Sequence, residues 1–479
     1  MSLKFKNNLL PEKAPPITLW YQKSRLPLTG VIALLAYVIA SLLIDPIASY
    51  ASSLLLLMGF GGVFLVGHSL RSSAPLWMLL GAFGIAMLSW GLSLLHHPDW
   101  AESSPKVHRL TTWFQFIAVA WLLGGDTRRT LAVWGVFALS LLFTPWVTGD
   151  GMQEWILGFQ GRRIDFGINN AQHTAMLFAV VFLGFIAFSY RLLKPGNGRI
   201  LRASIWSTGL ILFGAVVVMT QTRGVWLGCV AAGIVYISVL TAWLLRLPSS
   251  RSRAKIIGIT LAALVCISSL AAATLSGVIE RRLGAESTTI QQLFSEATIG
   301  NKSTSISYRI ASWKAAIPWI QERPLIGWGG NGRGLVLDHS EMLPSWIETQ
   351  TGHLHSSYMD TLVNFGTLGL ALFLWILAWT SMCSFKAWKR GFMPGDVLTF
   401  YLAFIAFWLV INAFESFMFY STGQYAFSLI VGGVTTHIWR MQVNDNDEIK
   451  IEKEKLSAKP IVDQPRPSAS ILRSTESLG

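Results

Sequence analysis

The stretch Thr361–Trp379 reads TLVNFGTLGLALFLWILAW and contains no charged residue. A helix needs about 20 mostly apolar residues to cross the roughly 30 Å of hydrocarbon in a bilayer, and this stretch is close to that length. Backbone that spans lipid must satisfy its own polar groups, which a helix does. The stretch therefore predicts a transmembrane helix, and similar segments recur along the chain.

The composition extends this prediction to the whole protein. Of the 479 residues, 52% are hydrophobic and 13% are charged, and the mean hydropathy is +0.49. A soluble protein carries about a quarter charged residues. The sequence thus predicts an all-α polytopic membrane protein with about twelve transmembrane helices. These predicted spans cover residues 28–45, 50–67, 75–95, 110–124, 130–147, 171–190, 204–222, 224–245, 256–276, 356–383, 397–415 and 421–439.

The distribution of Lys and Arg predicts the orientation. If the N-terminus lies inside, the short inner loops carry fourteen of these residues and the short outer loops carry five. The positive-inside rule then places both termini in the cytoplasm. The net charge of +13 is explained by this topology and does not indicate a nucleic-acid partner. No short cleavable signal peptide is visible, so the first span is expected to be retained.

One outer loop is much longer than the others. Residues 277–355 separate the first nine spans (1–276) from the last three (356–440), and this loop is expected on the outer side of the membrane. The remaining segment, 441–479, has a Lys/Glu run followed by Pro and Ser, which predicts a disordered cytoplasmic tail.

Within the long loop, residues 306–321 (ISYRIASWKAAIPWIQ) have helical periodicity and predict a helix lying on the membrane surface. Its expected apolar face consists of Ile306, Ile310, Trp313, Ile317 and Ile320. Arg309 lies at the edge of this face. It is expected either to contact lipid headgroups or to point toward the helix bundle, and periodicity alone leaves both readings open.

Three further arginines lie on the predicted outer face. Arg223 belongs to the tight turn TQTRGVWLG (220–228), and an ionisable residue so near the membrane is either a snorkelling side chain or a functional one. Arg162 and Arg163 lie in FQGRRIDFGINNAQH (159–173), where they contact lipid phosphates or a substrate. Arginine suits phosphate because its planar guanidinium offers a fork of donors.

His353 and His355 lie in GHLHSSYMD (352–360), just before the stretch quoted first. Positions i and i+2 do not share a helix face, so at most one of them is expected to point into a site. A metal site would need a third ligand, and the spacing matches no strong metal motif. The candidates for that ligand are Asp338, His339, Glu341 and Asp360. The other readings are a structural hydrogen bond or a general base that the positive helix end keeps neutral.

Five stretches together resemble the bacterial O-antigen ligases (lipid A-core:surface polymer ligases) within the O-antigen ligase/polymerase superfamily. They extend over roughly residues 161–370, and their shared position on the outer face is typical of that superfamily. The stretches are TRGVWLG, YRIASWKAAI, ERPLIGWGGNG, HLHSSYMDTLVNFGTLGL and, more weakly, GRRIDFGINNAQ. The resemblance implies an all-helical, GT-C-like membrane glycosyltransferase fold in the bacterial inner membrane.

The resemblance also implies a reaction on the periplasmic face. A polysaccharide on undecaprenyl pyrophosphate is moved to a sugar hydroxyl of lipid A-core, in lipopolysaccharide biosynthesis, without metal or cofactor. Arg223 and Arg309 would hold the pyrophosphate, and His355 would take the proton from the acceptor hydroxyl in an inverting displacement. The residues expected to support donor or acceptor binding are His353, Arg162, Arg163 and Asn170.

Three other functions remain open at this point. An O-antigen polymerase uses the same donor but a second lipid-linked glycan as acceptor, and a protein O-oligosaccharyltransferase uses a Ser or Thr side chain. A twelve-span transporter is less favoured, because transporters of this size often join two six-span halves through a long central cytoplasmic loop. Here the corresponding loop, 191–203, is short.

Overall fold

The computed structural model describes residues 27–244, 305–341, 343 and 352–457. Within these ranges all regular structure is helical, which confirms the prediction of an all-α protein. Six of the described helices are long and apolar enough to cross a membrane, and three shorter ones are also apolar. The count of twelve spans and the GT-C-like fold stay predictions, and the ninth predicted span, 256–276, lies outside the described residues.

The α-helices are numbered here in chain order over the described ranges. They are α1 Pro27–Leu43, α2 Asp45–Leu65, α3 Ala74–His96, α4 His108–Thr111, α5 Phe116–Leu123, α6 Thr127–Val147, α7 Met152–Phe159, α8 Ala171–Ala187, α9 Ser189–Leu193, α10 Arg199–Met219, α11 Arg223–Leu244, α12 Ser305–Glu322, α13 Gly332–His339, α14 Ser357–Lys389, α15 Gly395–Ile411 and α16 Ser421–Ser457.

The first half of α16 is the centre of the bundle. Its residues 425–439 are all buried, and it packs against α5, whose residues are also all buried. Gly432 allows close approach, because a Cβ there would lie 2.7 Å from the Val119 side chain. A helix that is apolar all round is expected inside a bundle rather than at its lipid-facing surface.

The predicted fourth span, 110–124, is not a continuous helix. It is divided into the end of α4, a 3-10 turn at Thr112–Phe114, and α5. Trp113 lies in the turn, where its Nε1 donates to the carbonyl oxygen of Met418 at 2.9 Å and its ring packs edge-on against Phe419. These contacts to the connection before α16 are long-range, so local hydropathy could not predict the break.

The stretch that opened the sequence analysis is also interrupted. Within α14, Gly366 has φ +62° and ψ −160°, a conformation that only glycine adopts readily. Residues 324–329 pack into this interruption, and the amides of Thr367 and Leu368 donate to Pro324 and Leu325. The single predicted span 356–383 is therefore a helix with a sharp break, because a neighbouring segment pairs with its backbone.

The helix predicted over 306–321 is present as α12, with bounds within one residue of those expected from periodicity, and its position on the membrane surface stays a prediction. Its buried face differs from the expected one, since Ile317 is 46% exposed. The buried residues are Ser307, Tyr308, Ala311, Ser312, Ala315 and Ala316. Small side chains let the helix approach the protein closely, and this packing outweighs the apolar periodicity.

The last helix runs into the segment predicted to be disordered. Residues 441–457 are helical as the continuation of α16, whereas 458–479 lie outside the described part of the chain. Lys and Glu are good helix formers, and their spacing allows i,i+4 pairs. Charge composition alone therefore placed the beginning of the tail too early.

Candidate active site

Glu415 contacts both histidines of the GHLHSSYMD segment. It follows the end of α15 and its side chain is 1% exposed. Its Oε1 lies 2.9 Å from His353 Nε2, and its Oε2 lies 3.0 Å from His355 Nδ1. These two ring nitrogens are 3.1 Å apart. We call these three residues the His–His–Glu cluster.

Both histidines point into the cluster, so the expectation that at most one would do so is wrong. That expectation assumed a helix, but α14 begins only at Ser357, with Ser356 as its N-cap. His355 has φ +50°, in the left-handed region. The chain thus turns at His355, and the turn brings both rings to one carboxylate.

Two helices hold this turn in place. From α12, the Tyr308 hydroxyl donates to the carbonyl oxygen of His353 at 3.0 Å, and Trp313 Nε1 donates to that of Leu354 at 2.8 Å. From α14, Asp360 Oδ1 accepts a hydrogen bond from the Leu354 amide at 3.1 Å. The main chain between the histidines is therefore fixed on both sides.

The Glu415 segment is anchored to the start of α14. The Ser357 amide donates to the carbonyl oxygen of Asn412 at 2.9 Å, and the Ser357 hydroxyl donates to Asn412 Oδ1 at 2.6 Å. The Ser416 amide donates to Glu415 Oε1 at 3.0 Å. Helix α14 thus positions the histidine turn and the carboxylate together.

The charge state of the cluster follows from these contacts. Burial raises the pKa of the Glu415 carboxyl, but hydrogen bonds from His353 and His355 outweigh burial and hold the pKa below its ordinary value. Glu415 is therefore a carboxylate at neutral pH. A carboxylate that holds one ring nitrogen stabilises the imidazolium formed when the other nitrogen takes a proton.

The two histidines differ in what their second nitrogen does. The Tyr420 hydroxyl lies 2.9 Å from His353 Nδ1, so both ring nitrogens of His353 have a neighbour. The hydrogen bonds of His355 within the described residues involve Nδ1, and its side chain is 17% exposed against 10% for His353. Nε2 of His355 is thus the nitrogen that can meet a substrate.

Arg309 points toward the bundle, which is one of the two orientations expected from the sequence. Its Nε donates to the carbonyl oxygen of Phe414 at 3.2 Å, and its Nη2 donates to Gln172 Oε1 at 3.2 Å. Burial lowers the pKa of its guanidinium, while the Glu415 carboxylate acts in the opposite direction. An arginine remains protonated under such a shift, so Arg309 places a positive charge beside the cluster.

Arg223 is the first residue of α11, and its turn packs against the same segment. A Cβ on Gly224 would lie 3.0 Å from the Cβ of Phe414. Phe414 is therefore approached from one side by the Arg309 side chain and from another by the backbone after Arg223. The sequence motifs around these two arginines converge on the residue before Glu415.

The loop with Arg162 and Arg163 joins the turn before Arg223. Arg163 Nε donates to the carbonyl oxygen of Thr220 at 3.1 Å, and Gln221 Nε2 donates to that of Gly161 at 2.7 Å. Both arginines are exposed. They lie at the rim of the arrangement rather than inside it.

Asn170 caps α8. Its Oδ1 accepts hydrogen bonds from the amides of Gln172 at 2.8 Å and His173 at 3.3 Å. Gln172 is in turn the side chain that accepts from Arg309. The structure thus gives Asn170 a capping role that fixes a partner of Arg309.

The His–His–Glu cluster has the composition of a metal site. Its three ligand atoms lie within 4.8 Å of one another, and histidine and carboxylate are ligands for zinc. The third ligand would be Glu415 and none of the four residues proposed from the sequence. Among those, Asp360 pairs instead with Arg333 at 3.0 Å. The same contacts are also satisfied by protons, so the metal-independent reading stays a prediction.

Glu415 was missed in the sequence analysis. It lies in NAFESF at the end of the predicted eleventh span, and a charged residue at such a position was the available signal. Tyr420 and Gln172 offered no such signal, since single polar residues beside spans are common. Their roles become visible only through long-range contacts.

In a comparison with protein families, residues 208–374 match the family described as O-antigen ligase. The matched region includes α11, α12 and the histidine turn. It confirms the resemblance to the O-antigen ligase superfamily for this part of the chain, and it fits a multi-pass membrane protein of glycosyltransferase type. A comparison with curated proteins finds no match.

Proposed function

We propose that this protein is an O-antigen ligase that transfers polysaccharide from undecaprenyl pyrophosphate to a sugar hydroxyl of lipid A-core. The family match supports transfer of a lipid-linked glycan in general. The observation that carries the finer proposal is the His–His–Glu cluster, with the Arg309 guanidinium bonded to the residue beside it. Such an arrangement offers a base and a cation at one place.

The general base is His355. Glu415 fixes its Nδ1, which leaves Nε2 to take the proton from the acceptor hydroxyl. The deprotonated oxygen attacks the anomeric carbon of the donor, and the bond from that carbon to the pyrophosphate breaks. A single displacement of this kind inverts the configuration at the anomeric carbon. His353 holds the opposite oxygen of Glu415 and so supports the orientation of His355.

The leaving pyrophosphate is held by arginines. Arg309 and Arg223 offer donors where negative charge develops as the bond breaks, which lowers the barrier without a metal ion. Arg162 and Arg163 lie at the rim of the Arg223 turn and support donor binding there. Asn170 acts through Gln172 by fixing a partner of Arg309.

The proposed location is the bacterial inner membrane. Both termini lie in the cytoplasm, and the cluster lies on the periplasmic face. A donor whose lipid tail stays in the membrane can reach a site at that face. The positive-inside distribution of Lys and Arg supports this orientation. Membrane lipids are the remaining partners, and no cofactor is proposed.

The test uses purified protein with an undecaprenyl-pyrophosphate glycan, lipid A-core and a chelator. Product is read on a gel as glycan joined to the core lipid, for the wild type and for His355→Ala and His353→Ala. We expect product with the wild type, none with His355→Ala, and reduced product with His353→Ala. Equal product from the wild type and His355→Ala would remove His355 as the base.

Two controls separate the related functions. A second lipid-linked glycan tests polymerisation, and a Ser/Thr-containing peptide tests protein glycosylation. Product with either of these acceptors and none with lipid A-core would overturn the ligase proposal. Product that disappears when the chelator is added and returns with a metal ion would overturn metal independence and make the cluster a metal site.

A further inference from the structure

A second group of cations lies beyond Tyr420 from the His–His–Glu cluster. Arg333 Nη1 is 3.0 Å from Asp360 Oδ2, and the Arg333 guanidinium carbon is 5.4 Å from the centre of the Phe419 ring. Phe419 directly precedes Tyr420, whose hydroxyl is 2.9 Å from His353 Nδ1. Arg333 thus contacts the residue next to Tyr420, and Tyr420 contacts the cluster.

Arg109 lies beside Arg333. Trp113, one helical turn after Arg109, donates to the carbonyl oxygen of Met418 at 2.9 Å. In addition, a Cβ on Gly330 would lie 2.5 Å from the Cβ of Lys106, so the segment before Arg109 packs against the segment before Arg333. Burial and then repulsion by Arg333 lower the pKa of the Arg109 guanidinium.

The charges in this region do not cancel. Lys106 pairs with Glu102 at 3.5 Å, and Arg333 pairs with Asp360 at 3.0 Å, so two cations have a direct anionic partner. Arg109 makes no such ion pair within the described residues. Asp360 and Glu102 attract it electrostatically, but they are already paired with Arg333 and Lys106. Among the residues that the structure describes, one positive charge is therefore left in excess.

Arg109 also has an unsatisfied donor. Its Nε–H is buried and has no hydrogen-bond partner among the residues that the structure describes. Buried donors are almost always bonded, so a buried donor without a partner requires an explanation. An anion bound here during the reaction would supply both a hydrogen-bond acceptor for Arg109 Nε and a negative charge to balance the guanidinium.

Tyr420 lies between this region and the cluster. Burial raises the pKa of its phenol to about 12, with the Glu415 carboxylate acting in the same direction. Tyr420 therefore remains protonated at neutral pH, and its hydroxyl lies within hydrogen-bond distance of His353 Nδ1. The two guanidinium groups, one of them with a buried donor that has no partner among the described residues, form a suitable environment for phosphate oxygens.

We infer that Arg109 and Arg333, beside Tyr420, bind a phosphate group carried by the acceptor glycan. The inference rests on the proposed function. Arg309 and the Arg223 turn contact Phe414, whereas Arg333 contacts Phe419, so the two arginine groups contact different residues around Glu415. With the first group assigned to the donor, the second group is assigned to the acceptor.

The experiment measures steady-state transfer and direct binding with two acceptors. One is lipid A-core with phosphorylated core sugars, and the other is the same lipid after phosphatase treatment of the core. Arg109→Gln is compared with the wild type, with Arg109→Lys, and with Arg323→Gln. Arg323 is a matched control because it is a half-buried arginine that donates to Ser93 Oγ and lies over the Trp328 ring instead of contacting this group.

We expect Arg109→Gln to raise KM for the phosphorylated acceptor by about tenfold, as expected for one lost charge-assisted contact. KM for the dephosphorylated acceptor and for the donor should not change, and Arg109→Lys should recover part of the loss. Arg323→Gln should match the wild type with both acceptors. Thermal unfolding of each variant shows whether a loss comes from misfolding.

Other results overturn the inference in distinguishable ways. A raised KM for the donor alone would place a donor phosphate at Arg109. Equal losses with both acceptors would indicate a structural role. If the wild type transfers glycan to neither acceptor, the proposed function fails, and the binding measurement decides on the anion site. The site is supported if the wild type binds the phosphorylated lipid more tightly than the dephosphorylated one and Arg109→Gln abolishes this difference. Equal binding of the two lipids by the wild type would remove the site.

Discussion

Glu415 uses a different oxygen for each histidine, and this asymmetry separates their roles. His353 lies between Glu415 and Tyr420, so both of its nitrogens have neighbours inside the protein. His355 meets Glu415 through Nδ1 and is the more exposed of the two. The sequence argument that a neutral histidine is favoured considered only the positive start of α14. The structure adds the Glu415 carboxylate, which contacts both rings directly.

Glu415→Gln tests the role of this charge. The amide keeps the shape and one hydrogen-bond acceptor but cannot stabilise the imidazolium that forms when His355 takes a proton. We expect kcat to fall by about 10²- to 10⁴-fold, with little change in KM for either substrate. The measurement is initial rate against substrate concentration, with thermal unfolding recorded in parallel.

The matched control is Glu154→Gln. Glu154 is also buried, but it accepts hydrogen bonds from the amides of Asp150, Asp165 and Phe166 instead of from histidines. We expect this variant to unfold at lower temperature while keeping kcat. A Glu415→Gln enzyme with wild-type kcat would show that the carboxylate serves only to hold the turn.

Arg223→Lys tests whether the guanidinium fork matters at the α11 turn. Lysine keeps the charge but offers a point donor that cannot grip two phosphate oxygens at once. We expect kcat to fall on the order of 10²-fold, because the lost donors act where charge develops. Arg162→Lys, at the exposed rim, should lose much less. Full activity of Arg223→Lys would show that charge alone suffices there.

At the scale of elements, periodicity and hydropathy predicted what depends on local sequence. They gave α12 nearly to the residue, and they placed α11 and α14 correctly as apolar helices. They missed the break at Gly366 and the buried face of α12, since both depend on distant segments that pack against them. The histidine turn was misjudged for the same reason, because hydrogen bonds from α12 fix its backbone.

The break in α14 gives a prediction at this scale. A Cβ at Gly366 would lie 2.3 Å from the carbonyl carbon of Leu325, and the residue has φ +62°. Gly366→Ala should therefore lower the free energy of unfolding by about 1–3 kcal/mol or more, and displace residues 324–329. The check is thermal unfolding in detergent beside a transfer assay.

Gly391→Ala separates strain from collision. Gly391 also has a positive φ, +81°, but a Cβ there would meet nothing within 4 Å. This variant should show the conformational cost alone, and should keep activity. If Gly366→Ala is no less stable than Gly391→Ala, the close packing of 324–329 against α14 is not a constraint.

At the scale of the whole molecule, the buried part of α16 is connected to the His–His–Glu cluster. Helix α16 begins just after Tyr420, and α14 begins just after His355, so both helices start at the cluster. Their starts are joined by Ser357, which bonds Asn412 and the Met418 amide. The cluster is thus held by the core of the fold, while the arginines approach it from α11 and α12.

The proposed orientation of the whole molecule can be tested by labelling in intact cells. The positive-inside rule places the C-terminus in the cytoplasm and the segment with α13 outside. A fluorescent protein fused after residue 479 should therefore fluoresce, and Ser340→Cys should react with a membrane-impermeant thiol reagent before lysis. Ser204→Cys, at the predicted inner end of α10, should react only after lysis. Labelling of Ser204→Cys in intact cells with protection of Ser340→Cys would show that the topology is the reverse of the proposed one. The cluster would then face the cytoplasm, where a periplasmic transfer cannot occur.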